Sequence, residues 1–462
     1  MKKGEFYTGT VTKAVFMDKG IIEIDGERVA VKDCIEGQEV EFRLKHRRER
    51  LSEGEKKRVV KPSPLETERP LCPHFGECGS CRLQMLPYET QVKRKAAQIK
   101  ELLDNATTAP FEWEGVLASP NAFEYRNKVE FAFGNAEKDG PLTLGFHRKN
   151  SFYDIIDTEE CRLVDEAVRS VRRCVIELAR ELGYDFYHRN THEGYLRHLM
   201  IRRTYFTDML MVDLVTSSQA PANEGEFLKE LVKRLNALPK APDSILHTVS
   251  DAWADAIVND RTDLLFGEDH IYEELLGLRF RITAFSFFQT NSRGAELLYA
   301  KTREYVGETK DKVIFDLYSG TGTIAQLLAP VAKHVTGVGI VPEAVEAAKY
   351  NAGLNGLSNC DFIANDVLKA IDRLKEKPDI IVLDPPREGI NPKALPKILA
   401  FGVQNIVYIS CKATSLARDL EVIQKAGYRV KKAACTDLFP QVGHVESCVL
   451  LERVSNRKSG NL

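Results

Sequence analysis

From about Ile282 onward the chain alternates short apolar strands with helical periodicity and places glycine turns at the junctions, and this pattern limits the fold more than any other feature. Val313-Ile314-Phe315-Asp316-Leu317 reads as a buried strand, Tyr318-Ser319-Gly320-Thr321-Gly322 as a tight turn, and Thr323 to Pro330 as the helix it opens. His334 to Gly339 is a second strand and Pro342 to Leu354 a second helix, with further strands at Cys360 to Ile363, Ile380 to Leu383 and Ile406 to Ile409. Strands joined through helices run parallel, so a doubly wound α/β sheet is expected over residues 281–455, binding its ligands at the carboxyl ends of the strands. Residues 456–462 read as a tail.

Ahead of this unit the patterning changes twice. Residues 1–61 carry short alternating strands separated by Gly and Asp-Gly turns, around Gly20 to Val31 and Gly37 to Leu44, which suits a five-stranded barrel of the oligonucleotide-binding type. Arg43 to Lys61 holds nine Lys or Arg against three acidic residues and reads by itself as a solvated loop or linker. Pro62, Pro64 and Pro70 punctuate the stretch after it. Residues 62–280 form a mixed α+β region. Its first helix, Tyr88 to Leu103, has Val92, Ala96, Ile99 and Leu103 on one side, and Lys93, Arg94, Lys95 and Lys100 are expected to make the other wet and positive.

No stretch approaches the roughly 18 uninterrupted apolar residues of a membrane span, and the N-terminus lacks an apolar leader segment, so a cytoplasmic protein is expected. The formal charge of -2 decides nothing about partners, which depend on where the basic groups lie. Ten cysteines are too few for a disulfide scaffold of this length. Cys72, Cys78 and Cys81 nonetheless sit within ten residues on a glycine-bearing loop, a spacing suited to a tetrahedral or cubane metal site, with Cys161 chosen as the fourth ligand. Spacing alone does not separate an iron-sulfur cluster from zinc.

Three further motifs carry chemistry. The glycine turn lets backbone approach a ligand, and with no P-loop lysine after it a nucleoside cofactor such as S-adenosylmethionine is favoured over ATP, a nicotinamide being the competing reading. Asp384-Pro385-Pro386-Arg387 places an acid at the open end of a strand. Cys411 lies just past another strand, where Lys412 and a helix N-terminus are expected to lower its thiol pKa. Glu446, after Phe439-Pro440-Gln441-Val442-Gly443-His444-Val445, is a carboxylate that burial would turn into a base. A cofactor turn, a nucleophile and a base together suggest methylation of a pyrimidine carbon.

On these residues the chain resembles the S-adenosylmethionine-dependent RNA 5-methyluridine (uracil-C5) methyltransferases, and within them the enzymes of 23S ribosomal RNA. The likeness extends to Tyr125-Arg126-Asn127-Lys128, Gly145-Phe146-His147 and Phe287-Phe288-Gln289-Thr290-Asn291. It implies a TRAM-like RNA-binding barrel, a middle domain whose four cysteines hold a [4Fe-4S] cluster rather than zinc, and a Rossmann-like methyltransferase domain. It also implies that Gln289, Tyr318 and Asp384 contact cofactor or base, that Cys411 is the nucleophile and that Glu446 is the base. No obligate protein partner is implied, and a monomer is expected. The chain departs from the family at Gly339, where a glutamate usually meets the cofactor ribose, at Lys412-Ala413 in place of Asn-Pro, and at Ser319 in place of a cysteine. A transfer-RNA enzyme and a catalytically weak RNA-folding factor are the alternatives.

Overall fold

A computed structural model describes residues 1–254, 256–374 and 376–454, so the expected tail lies outside the described residues. The N-terminal strands close into a barrel in the order Phe6–Val15, Lys19–Ile24, Glu27–Val31, Ser52–Lys61, Glu39–His46. Alternation drives it: Glu39–His46 turns Val40, Phe42 and Leu44 inward, where they meet Val11, Ile22, Val29 and Val31. The basic run read as loop or linker supplies the fifth strand. Its charges point outward, and it has a glycine where it crosses Phe42, whose ring would lie 2.6 Å from a Cβ at Gly54. Barrel closure, absent from local periodicity, is what makes this segment a strand.

The middle of the chain forms a seven-stranded sheet covered on one face by the Glu166–Glu181 and Glu224–Asn236 helices. The C-terminal sheet has eight strands, ordered Cys360–Ala364, Ala332–Gly339, Thr309–Leu317, Ile380–Leu383, Asn405–Ser410, Glu446–Arg453, Tyr428–Thr436 and Glu112–Leu117. The first five are parallel, but Glu446–Arg453 runs antiparallel to its neighbour, so the sheet is mixed rather than wholly parallel. Apolar clusters cover both faces. Strand order reverses between Thr309–Leu317 and Ile380–Leu383, which opens a crevice at their carboxyl ends.

The Tyr88–Ala106 helix corrects the sequence reading. Arg94 and Lys95 are buried, Arg94 bonding Asp18 at 3.0 Å and Glu36 at 2.8 Å, and Lys95 bonding Asp437 at 2.7 Å. Lys93 pairs with Glu89 and Lys100 with Asp104 on the helix's own surface. Arg94 and Lys95 thus form a structural seam between the barrel and the C-terminal sheet, because complementary acids from both sides meet them, while Lys93 and Lys100 stay on the wet surface as expected.

Candidate active site

Neighbouring strands bring together residues far apart in sequence. Ile380–Leu383 ends at Asp384, Asn405–Ser410 ends at Cys411, and Glu446 begins the strand antiparallel to the latter. Ser410 stands opposite Ser447, so Cys411 and Glu446 occupy the same edge of the sheet. Burial, then the charge of Asp384, pushes Glu446 up to about 8, while Arg387 draws it down. Asp384 itself is pushed up to about 7 by burial and by Asp316. Both carboxyls therefore titrate near neutrality, the range that suits a general base.

Cys411 runs against the expectation. Burial, then Glu446 and Asp384, pushes its thiol up to about 11, and the cation opposing them is Arg387. Lys412 occupies the N-cap position of the Ala413–Lys425 helix and its N–H already donates to Ser410 Oγ at 3.2 Å. The thiol thus precedes the helix dipole and faces carboxylates, which favour the protonated form.

The glycine turn lies across the crevice. Tyr318, Gly320 and Gly322 all have left-handed φ values, 72°, 55° and 73°. At Gly322 a Cβ would lie 2.5 Å from Phe362 and 2.7 Å from Ala348, so the close helix packing demands glycine, whereas beside Gly320 the space is open. Asp316, next to last in the strand before the turn, keeps Oδ1 buried without a hydrogen-bond partner among the described residues. It is fully buried and accepts from the Ala325 N–H at 3.0 Å, binding turn to helix. Tyr318 Oη, Gln326 Oε1 and Thr290 Oγ1 are buried without a hydrogen-bond partner. Such orphaned groups on one rim fit a polar ligand that completes them. Gly339 ends the adjacent strand, beside exposed Ile340 and Val341, and a Cβ there would lie 3.3 Å from Val345 Cγ2.

Gln289 enters from the segment preceding the Ser292–Val306 helix. Asn127 Nδ2 holds its carbonyl at 2.9 Å and also donates to Ser292 Oγ at 2.8 Å, tying this segment to the middle sheet. Two residues escaped the sequence reading. The buried Tyr299 phenol lies among Asp384, Glu446, Asp316 and the Gln289 side chain, and Arg387 is the cation facing Glu446 and Cys411. Tyr299 looks like an ordinary core position in a helix, and only the fold turns it toward the carboxylates.

The structure brings Cys72, Cys78, Cys81 and Cys161 to the wall of one cavity, with His74, Phe75 and Phe146. Burial raises Cys81 and Cys161, to about 12 and about 11, with a further push from neighbouring cysteine charges. The donor set suits a thiolate-bound group, yet among the described residues no group of three or more His, Cys, Asp or Glu is arranged to hold a metal ion. Beside this cavity, sharing Phe75 and Cys81, a cleft of about 1100 Å³ separates the barrel from the cysteine loop. Lys45, Lys56, Lys57, Arg82 and Lys149 line it among carboxylates, Glu55 pairing with Lys45 and Lys57 and Asp33 with Arg82, and burial together with Lys56 and Arg82 draws Lys149 down. Among the described residues no helix is long and apolar enough to cross a membrane.

Comparison with known proteins agrees with this geometry. Residues 256–454 match the family model of tRNA (Uracil-5-)-methyltransferase. An uncharacterised RNA methyltransferase of Caldanaerobacter subterraneus is 44% identical over 98% of this chain and 100% of its own, and one of Clostridium tetani is 43% identical over 98% and 99%. The crystal structure of Pyrococcus abyssi tRNA (uracil-54, C5)-methyltransferase with S-adenosyl-L-homocysteine superposes with a TM-score of 0.75, at 26% identity, over 96% of this chain and 99% of its own. The chain belongs to the S-adenosylmethionine-dependent RNA uracil-5-methyltransferases.

Proposed function

We propose that this enzyme methylates C5 of a specific uridine in 23S ribosomal RNA through a covalent adduct between Cys411 and C6. The observation that carries the reading is the meeting of Cys411, Glu446 and Asp384 on one sheet edge, facing the glycine turn across the crevice. S-adenosylmethionine, held by the turn with Tyr318, Gln289, Asp384 and the strand end at Gly339, supplies an electrophilic methyl group. With its thiol proton passed to the facing Asp384 carboxylate, Cys411 Sγ would add to C6, which makes C5 an enolate carbon; C5 would take the methyl as the sulfonium S–CH3 bond breaks and S-adenosylhomocysteine leaves. Glu446 then removes the C5 proton, the electron pair restores the C5–C6 double bond, and the C6–S bond breaks to free Cys411. Arg387 offsets the negative charge on Cys411 and Glu446.

The lysines of the cleft would carry RNA phosphates past the barrel, exchanging carboxylate partners for phosphates and giving salt-sensitive affinity, while a uridine turned out of its stack reaches Cys411. Cys72, Cys78, Cys81 and Cys161 would hold a [4Fe-4S] cluster that braces the loop between cleft and active site. Iron and sulfide assays on anaerobically purified protein test that assignment. Transfer RNA is the second reading, favoured by the likeness to a tRNA enzyme that spans the barrel as well as the catalytic sheet. That likeness removes the barrel as an argument for ribosomal RNA. The test is labelled methyl transfer to unmodified ribosomal and transfer RNA, with product nucleoside analysis and Cys411→Ala alongside. 5-Methyluridine in 23S RNA, lost in the variant, is expected; transfer to tRNA alone overturns the substrate, and transfer by Cys411→Ala overturns the nucleophile.

A further inference from the structure

The segment from Asp437 to Val445 closes the hairpin that presents Glu446; within the catalytic sheet the Asp437 N–H donates to the Leu117 carbonyl at 2.9 Å, and Leu438 packs into the core. Its other polar anchors come from elsewhere in the chain. At one end Asp437 accepts from Lys95 Nζ at 2.7 Å and Tyr88 Oη at 3.1 Å. At its centre stands Gln441, 1% exposed and with a left-handed φ of 71°. Its N–H donates to Gln91 Oε1 at 3.0 Å and its side-chain carbonyl accepts from Gln91 Nε2 at 2.9 Å. Its Nε2 donates to the Ala122 carbonyl at 3.2 Å, and its own carbonyl accepts from the N–H groups of Arg82 at 2.8 Å and Leu83 at 3.1 Å. Gln91 Nε2 also reaches the Leu83 and Leu86 carbonyls. Every polar atom of Gln441 is therefore occupied, by the Tyr88–Ala106 helix, by the cysteine loop and by the middle domain.

A non-glycine residue with positive φ is held against its preference and persists only where surrounding contacts over-determine it. The next fixed point confirms how little freedom the loop has. A Cβ at Gly443 would lie 2.5 Å from Asp18 Oδ2 of the barrel. From there Val445 drops into the core and Glu446 enters the strand.

We propose that the reciprocal amide pair Gln91–Gln441 positions Glu446 for removal of the C5 proton, making the N-terminal turns of the Tyr88–Ala106 helix and the cysteine loop a brace for the base. Cys411 sits on a different strand, whose end is held by Ser410 Oγ and the following helix. Loosening the loop should therefore slow one step and spare the others. In that step the C5–H bond breaks with its proton passing to the Glu446 carboxylate, and the C6–S bond breaks with its electrons leaving on Cys411. Misplacing a proton acceptor by about 1 Å is enough to cost roughly 100-fold.

This inference rests on the roles proposed for Cys411 and Glu446, and the experiment separates the two. Full-length Gln441→Ala, Gln91→Leu and the conservative Gln91→Glu, which keeps the acceptor for the Gln441 N–H, are compared with Glu446→Gln on the RNA that the wild-type chain methylates. Turnover and covalent protein–RNA adduct are followed, and adduct formation is timed separately on 5-fluorouridine RNA, where C5 bears no proton to remove. The expected result is adduct formation on 5-fluorouridine RNA within about twofold of wild type, turnover on ordinary RNA down roughly 10- to 100-fold, accumulating adduct as in Glu446→Gln, and partial rescue by Gln91→Glu. Equal loss of both rates, or unchanged turnover, overturns the positioning role. If Glu446→Gln itself traps no adduct, the assignment of the base fails instead.

Discussion

Glu446 is one of the buried carboxyls that tie the stability of this enzyme to pH, and replacing it with glutamine exposes the size of its share. An ordinary glutamate ionises near 4.5, whereas burial beside Asp384 pushes Glu446 up to about 8. The folded chain then binds the proton more tightly than the unfolded chain, so the contribution to stability is fully present below the ordinary value and is lost as pH rises to the folded value. With one unit worth about 1.4 kcal/mol, the folded state forfeits roughly 2 to 3 kcal/mol between about pH 5 and pH 7 through this group alone. Glu446→Gln carries no such cost. Urea unfolding of parent and variant at a series of pH values should show the variant gaining on the parent by about 2 kcal/mol over that interval, while losing turnover. Two parallel stability curves would refute the claim that Glu446 is a buried, near-neutral carboxyl.

Other outcomes rest on the same geometry. Alkylation of Cys411 by iodoacetamide should be slow near neutral pH, because its thiol is held up to about 11, and should quicken several-fold with S-adenosylmethionine, whose sulfonium adds a positive charge to the crevice, but not with S-adenosylhomocysteine, which lacks it; equal effects would rule out the sulfonium charge as an activator. Gly339→Glu, whose Cβ needs only a few tenths of an ångström from Val345, should tighten S-adenosylmethionine binding by roughly 10-fold or more in calorimetry, as a regained hydrogen bond to a carboxylate would. Lys95→Met strands the fully buried Asp437 carboxylate, so it should destabilise the chain by about 3 to 5 kcal/mol in urea unfolding, with much of the loss recovered by adding Asp437→Asn.

The sequence reading placed four of the five parallel strands to within a residue or two, because alternating helix and strand periodicities are local and strong; it began Thr309–Leu317 four residues late and did not find Tyr428–Thr436. It also brought out Asp384, Cys411 and Glu446, since an acid or a thiol at the end of an apolar strand stands out. It failed at the Tyr88–Ala106 helix, where charge spacing suggests a solvated face and Asp18, Glu36 and Asp437 instead arrive from distant segments to bury Arg94 and Lys95. It failed on the direction of the Cys411 shift because the neighbour in sequence, Lys412, is not the neighbour in space; Glu446, Asp384 and Arg387 are.

Within the chain itself, then, lie the element types, the glycine positions demanded by the cofactor turn, and the kinds of reactive side chain. These depend on backbone sterics and on periodicities a few residues long. Only the tertiary structure decided that Glu112–Leu117 becomes the edge of the catalytic sheet, that Tyr299 faces three carboxyls, that the cysteine loop grips Gln441, and that the thiol rests protonated. Each of these depends on burial and on charges brought together across hundreds of residues, and desolvation and Coulomb energy are properties of that arrangement in space.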